Sequence, residues 1–201
     1  MSDTRRRGMS EETCSKHVAR SNDDSNDVDG VLKTSGNDFF EIRQISPEDK
    51  IPIQAGLSLL SPESIRQRFF ANKTEFSEAE LKFLTEVDQV NHLAYVAVHH
   101  KGDNLLPAGV IRAVKPNVES TAAEIGIVIV DCYQGQGLGT RLFDTIAEQA
   151  LKVGITQFYG DYHVSNLKMT KLLEKFAKKH HPLMIKHTHD GFIYFEAPLK
   201  N

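Results

Sequence analysis

Gln134-Gly135-Gln136-Gly137-Leu138-Gly139-Thr140 is the stretch on which the fold turns. It follows Ala122 to Val130, an apolar run rich in β-branched residues. It opens a segment, Gly137 to Leu151, in which Leu138, Leu142, Ile146 and Ala150 recur every fourth residue. The first pattern predicts a strand and the second an amphipathic helix, so the glycines occupy a strand-to-helix turn. Glycine lets backbone approach a ligand closely, and the first turn of a helix offers unpaired amides at the positive end of its dipole. That combination suits a pyrophosphate. A turn that binds nothing is the plainer alternative, but each glycine then costs about 1 kcal/mol of chain entropy without return.

Three phosphate-binding patterns compete for the loop. The dinucleotide fingerprint needs glycines at its first, third and sixth positions, and counted from Gly135 the sixth is Thr140. An ATPase-type loop ends in Gly-Lys-Ser/Thr, and no lysine stands here. What remains is Gln-x-x-Gly-x-Gly after an extended strand.

Outward from the loop, the chain organises itself around that turn. Upstream, Leu93 to Val98 and Ala108 to Val114 flank the turn composition Lys101-Gly102-Asp103-Asn104, which predicts antiparallel pairing. Phe39 to Arg43 reads as a strand. Helices open at Ser46-Pro47-Glu48-Asp49, at Ser61-Pro62-Glu63-Ser64 and at the capping box Ser77-Glu78-Ala79-Glu80. Downstream, Gly154 is a left-handed helix cap and Ile155 to Tyr162 a strand, so strand, helix and strand form a parallel crossover. Leu167 to Lys179 is a helix with Met169, Leu172, Leu173 and Phe176 inward and most of its lysines outward. A hairpin closes the chain, Leu183 to His189 and Phe192 to Ala197, through Asp190-Gly191.

Residues 1–38 differ in texture. They are polar and carry a basic cluster, Arg5 to Arg7, ahead of acidic residues from Asp23 to Asp29, and predict a disordered tail. With 201 residues, 40% of them hydrophobic, the chain can bury one core and carry that tail, and two full domains would be cramped. A net charge of −3 argues against bulk electrostatic grip on nucleic acid. Cys14 and Cys132 suggest neither a disulfide framework nor a zinc site, and no apolar run approaches the roughly 18 residues of a membrane span. A cytoplasmic protein is expected, with no nucleic-acid or membrane partner. The sequence does not disclose its oligomeric state.

The glycine loop resembles the coenzyme A pyrophosphate motif of the GNAT superfamily of N-acetyltransferases. The resemblance runs from residue 39 to residue 201 in element order, and is strongest to the bacterial Pat-type protein lysine acetyltransferases. Leu60-Ser61-Pro62-Glu63-Ser64 with Arg68-Phe69-Phe70 is similar to that group's first helical segment, and Thr85-Glu86-Val87-Asp88 ahead of Ala94 to Val98 to its next. Ala123-Glu124-Ile125-Gly126-Ile127-Val128-Ile129 resembles the strand carrying its general base. Asn166-Leu167-Lys168-Met169 with Leu172-Leu173 resembles its late cofactor-side helix.

The resemblance implies an α/β (α+β) GNAT fold, a mixed central sheet of about six to seven strands with helices on both faces. It also implies acetyl-CoA as cosubstrate, with no metal. Coenzyme A would run along Ile127, Val128 and Ile129, and its pyrophosphate would rest on Gln134, Gly135, Gln136, Gly137, Leu138, Gly139 and Thr140. Asn166 would contact its pantetheine arm or hold the two diverging strands, and Met169 would also bind the cofactor. Strand bulging would turn amides near Ile127 and Val128 toward the thioester carbonyl. Many relatives carry at Leu173 a tyrosine that protonates the departing thiolate, and leucine removes that acid.

The chemistry asks for a base, because a lysine ammonium with a pKa of about 10.4 hardly reacts at neutral pH. Glu124 stands in an otherwise apolar strand, where partial burial would raise its pKa toward the working range. A solvated strand residue is the bland alternative for Glu124, as helix capping is for Asn166. His187 and His189 share a strand face without a third ligand at useful spacing, and Cys132 has no activating histidine in its segment. The expected function is direct acetyl transfer to an amine, with a protein lysine as the favoured acceptor. A small amine, such as a polyamine, amino sugar or amino acid, is the alternative, as is a coenzyme-A-binding module without turnover.

Overall fold

β-branched and aromatic alternation through the middle of the chain produces an antiparallel ladder, and the parallel crossover predicted at the glycine loop extends it. The computed structural model describes residues 31–33, 38–180 and 185–199. Its strands are β1 (Val31–Lys33), β2 (Phe39–Gln44), β3 (His92–Lys101), β4 (Asn104–Val114), β5 (Ala122–Ile129), β6 (Gln157–His163), β7 (Ile185–His189) and β8 (Phe192–Pro198). They form one eight-stranded sheet in the order β1-β2-β3-β4-β5-β6-β8-β7. Every neighbouring pair is antiparallel except β5 and β6. The mixed sheet is the one the sequence implies, with one strand more.

The additional strand lies in the stretch expected to be tail. Val31–Lys33 pairs with β2 from Val31↔Glu41 to Lys33↔Phe39. Three residues are too few to display a period, and an edge strand needs only the free backbone groups of its neighbour. The rest of the expected tail, residues 1–30 and 34–37, lies outside the described residues.

The helices divide between the faces. α1 (Lys50–Ser58), α2 (Pro62–Phe69) and α3 (Glu78–Thr85) follow β2, whereas α4 (Leu138–Lys152) and α5 (Leu167–His180) follow the glycine loop and β6. The four-residue spacing in α4 buries Leu138, Leu142, Ile146 and Ala150, each at most 1% exposed. They pack with Ile111, Ile125, Phe158, Leu173 and Phe176 into the main core. The opposite face holds a much smaller cluster of Ile45, Ala94 and Val96, supported by Ile53, Val98 and Val110. That thinner packing leaves hollows beneath α1 to α3.

The sheet parts at its one parallel seam. β5 and β6 share only the rungs Ala122↔Gln157, Ala123↔Phe158 and Glu124↔Tyr159. Beyond them β5 follows β4 to Ile129↔Gly109, and β6 follows β8 to His163↔Phe192. Gly160 stands at the apex, where an added Cβ would lie 3.3 Å from the Ile125 carbonyl and 3.2 Å from the Phe195 ring. A side chain there would crowd both strands where they separate.

Leu142→Ala removes a fully buried side chain from the main core. It is expected to lower stability by about 3 kcal/mol, read as a lower urea midpoint at unchanged slope.

Candidate active site

The parting of β5 from β6 frees backbone along one edge of β5. The Ile125 carbonyl points toward Gly160, while the Val128 carbonyl lies 3.0 Å from where a Gly109 Cβ would stand, toward β4. Strand alternation therefore directs the backbone groups of Ile127 and Ile129 into the opening and those of Val128 away from it. The expected bulge is absent from this ladder, whose register is regular from Gly109↔Ile129 to Val114↔Glu124. The irregularity lies instead between β3 and β4, at Ala97/Val98. Divergence of the neighbouring strand exposes the β5 edge without an extra residue.

At the end of β5 a short helical turn, Asp131–Tyr133, leads into the glycine loop. Gly135 and Gly137 adopt φ of 78° and 84°, the left-handed region that favours glycine, and Gly137 is the N-cap of α4. Arg141 donates to the Gly137 carbonyl at 3.2 Å, so the amides of Leu138, Gly139 and Thr140 precede the first backbone bond of the helix. Gln134 holds the loop to the strand, its Nε2 donating to the Ile129 carbonyl at 2.9 Å. Gln136 Nε2 turns back to the Cys132 carbonyl at 2.8 Å.

Asp131 ties the loop to α2. Its carboxylate accepts from the Ser61 amide (2.9 Å), the Ser61 hydroxyl (2.8 Å) and the Ser64 hydroxyl (2.9 Å). Burial opposes its ionisation, but these bonds outweigh burial and hold it below the usual carboxylate range.

A groove of about 290 Å³ runs from the loop into the parted strands. The expected Ile127, Val128, Ile129, Gln134, Gly135, Gly137, Gly139, Thr140, Asn166 and Met169 all line it. Gln136 and Leu138 do not: the first is turned onto Cys132, and the second is 1% exposed in the core. Asn166 also caps α5, its Oδ1 accepting from the Met169 amide at 3.0 Å, which is the alternative role expected for it. Lys168, Lys171 and Lys175 line the groove as well, and Lys168 Nζ donates to Gln134 Oε1. The sequence pattern alone makes these lysines a solvated helix face.

Glu124 occupies the last shared rung of β5 and β6, opposite Tyr159, and is exposed. The partial burial expected for it is therefore corrected: the strands part immediately beyond it, and water reaches the carboxylate. It lines a second groove, of about 620 Å³, that meets the first at Gln67, Arg68, Ile127, Asn166 and Met169. The Tyr159 phenol is pushed up, by burial first and by the Glu124 charge second. Leu173 is fully buried and supplies no proton.

Two cations beside Glu124 escaped the sequence reading. Arg68 descends from α2 onto Gly126, where an added Cβ would stand 2.7 Å from Nη2 and 3.1 Å from Cζ. Arg112 is the β4 register partner of Gly126 and is 7% exposed. It donates through Nη1 to His92 Nε2 at 3.0 Å. Burial lowers the pKa of both arginines, Arg112 to about 9 with Arg68 adding to the effect, and the charge of Glu124 partly offsets the shift at Arg68. A lone arginine in the apolar run Ala108 to Val114 is the same kind of signal that singled out Glu124. Arg68 carries no such mark in a helix whose other charged residues face water.

Other candidates stand apart from these grooves. His180 pairs with Asp144 at 2.8 Å and His187 stacks on Tyr194, while His181 lies outside the described residues. Cys132 is not a free thiol.

Parted strands, a left-handed glycine loop at a helix start and an exposed carboxylate thus meet where the two grooves join. Residues 40–177 match the acetyltransferase (GNAT) domain, and the chain belongs to that family. It is an acyltransferase. Over 131 residues it is 30% identical to an acetyltransferase of Pseudomonas aeruginosa, an alignment covering 65% of this chain and 70% of that protein. Over 138 residues it is 26% identical to the acetyltransferase Pat of Mycolicibacterium smegmatis, covering 69% of this chain but 40% of that protein's length. The solved GNAT domain of the S. lividans PAT shares its fold at a TM-score of 0.69 and 22% identity, covering 80% of this chain and 91% of that one.

His92 gives the site a measurable dependence on pH. Burial first, then the Arg112 charge, pushes its imidazole down to about 4. The unfolded imidazole titrates near about 6.5, so the unfolded chain binds that proton first as pH falls. The contribution of His92 to stability is full above about pH 6.5 and is lost progressively down to about pH 4, by about 3 kcal/mol. His92→Gln retains an acceptor for Arg112 and is expected to flatten that part of the slope in urea midpoints taken at pH 7 and pH 5.

Proposed function

We propose that this acyltransferase moves the acetyl group directly from acetyl-CoA to an amine deprotonated by Glu124, and that the favoured acceptor is a protein lysine. The observation that carries the reading is the junction of two grooves at the parted seam, one rich in phosphate-binding groups and the other holding Glu124.

The amides of Gly139 and Thr140 and the lysines of α5 suit the phosphates of coenzyme A. Ile127 and Ile129 offer strand-like backbone partners to the pantetheine arm, with Met169 and Asn166 opposite. Seated this way, the thioester reaches the level of Ile125 to Ile127, next to the second groove.

An ammonium entering that groove loses a proton to the Glu124 carboxylate, either directly or through water, which the exposed carboxylate admits. The free nitrogen attacks the thioester carbon, the C–S bond breaks as the amide forms, and the coenzyme A thiolate takes its proton from solvent. The inward-facing Ile127 amide is the nearest donor for the intermediate's oxyanion. The protein-lysine assignment follows from the likeness to the Pat-type segments, which this chain shares from Leu60 to Leu173.

Glu124→Gln keeps the side-chain size and removes the base. It is expected to lower kcat about 100-fold, with the acetyl-CoA Kd from calorimetry unchanged. Near-normal turnover across the pH series would reject Glu124 as the base.

A further inference from the structure

Arg68 and Arg112 are charged groups that the transfer step above leaves without a task. They lie over one rung of the sheet: Arg68 rests on Gly126, and Arg112 is that residue's cross-strand partner. Both line the acceptor groove, and both line an apolar cavity of about 140 Å³ beneath α1 and α2; Arg68 alone also lines the cofactor groove.

Neither finds a carboxylate. Arg112 is held by neutral acceptors, His92 Nε2 at 3.0 Å and the Leu84 carbonyl at 3.4 Å. The contacts of Arg68 are the face of Phe69, 5.3 Å from Cζ to the ring centroid, and the through-space charge of Glu124. Among the described residues no carboxylate oxygen stands within ion-pair distance of either guanidinium. Two enclosed cations side by side carry a heavy desolvation cost that an anion from outside would relieve. The planar fork of arginine matches a carboxylate in bidentate fashion.

We propose that Arg68 and Arg112 form a carboxylate-binding subsite at the acyl-transfer point, so that one of the two reactants carries a carboxylate beside its reacting centre. The carrier is either the acceptor, as an amino acid or an acidic residue flanking the lysine, or the acyl group of a dicarboxylic thioester. The subsite rests on the acetyl-CoA-dependent reading and deepens it by naming the substrate class. Glu124 and Gly126 lie on one strand face two residues apart, about 7 Å. That span accommodates an amine at the base and a carboxylate at the arginines within one amino-acid unit.

Matched substrates test it by thiol release. Lysine against cadaverine, and Glu-Lys against Gln-Lys peptides, probe the acceptor with acetyl-CoA. Succinyl-CoA against acetyl-CoA probes the acyl group with cadaverine. In one arm the carboxylate is expected to raise kcat/KM about 10- to 100-fold, the range for charge-assisted hydrogen bonds. Arg68→Gln should bring that ratio close to one. Gly126→Ala should do the same, because its methyl group occupies the place of the guanidinium while leaving arginine in the chain.

A preference in the acceptor arm, or in the donor arm, identifies the carrier. Acetyl-CoA binding by calorimetry with transfer but no carboxylate preference in either arm overturns the subsite alone, as does a preference that survives both substitutions. Failure to bind acetyl-CoA overturns the transfer reading and the subsite with it.

Discussion

The separation of β5 from β6 after three shared rungs is the constraint on which the rest depends. A parallel pair that continued its ladder would saturate the backbone of Ile127 and Ile129 and close the space between the helical layers. Gly160 permits the close contact at the apex of the separation, since a side chain there would press on the Ile125 carbonyl and on Phe195. The β8 strand sustains it by pairing with β6 all the way to His163↔Phe192. The opening is thus stabilised by hydrogen bonds made elsewhere, and β6 keeps its partner while β5 loses one.

Everything else at the site is arranged relative to that gap. The crossover through α4 brings the glycine loop to the end of β5, where Asp131 anchors it to the N-terminus of α2. The same anchor fixes α2 over the seam, so a single carboxylate sets both the loop and the helix that carries Arg68. Residues separated by about 70 positions in sequence thereby meet at one junction.

The fold was largely legible in the sequence because its signals are local. Four-residue spacing defined α4, the capping serine with proline behind it and the capping box defined the starts of α2 and α3, and Asp190-Gly191 marked the last hairpin, where both residues do take positive φ. The glycine loop was legible for the same reason. What remained hidden depends on who the neighbours are. Glu124 is exposed because the strands part just beyond it, and no pattern within β5 records where β6 leaves. Val128 turns its polar backbone toward β4 because of strand parity, which the motif does not encode. Leu138 lies within the motif but serves the core, as an i, i+4 partner of Leu142. Arg68 was invisible because its environment is Gly126, a residue from a distant strand.

Charge distribution completes the physical picture. The chain as a whole is acidic, at −3, yet Arg68, Lys168, Lys171 and Lys175 line the cofactor groove and Arg112 lies just beyond the junction. Among the described residues no carboxylate lines that cofactor groove; Glu124, Asp161 and the Lys73-paired Glu80 line the adjoining one, and others are tied to local partners, as Asp49 is to Arg43 and Asp144 to Lys179. A cleft of one sign on a surface of the other focuses the field at its mouth, which speeds the approach of an anionic ligand without tight binding of anions in general. The gradient continues inward from hydrated lysines on α5 to enclosed arginines at the seam. Water screens the lysines, so they suit phosphates that arrive and leave with each turnover. The arginines are screened far less, so a charge presented to them at the seam is discriminated more sharply.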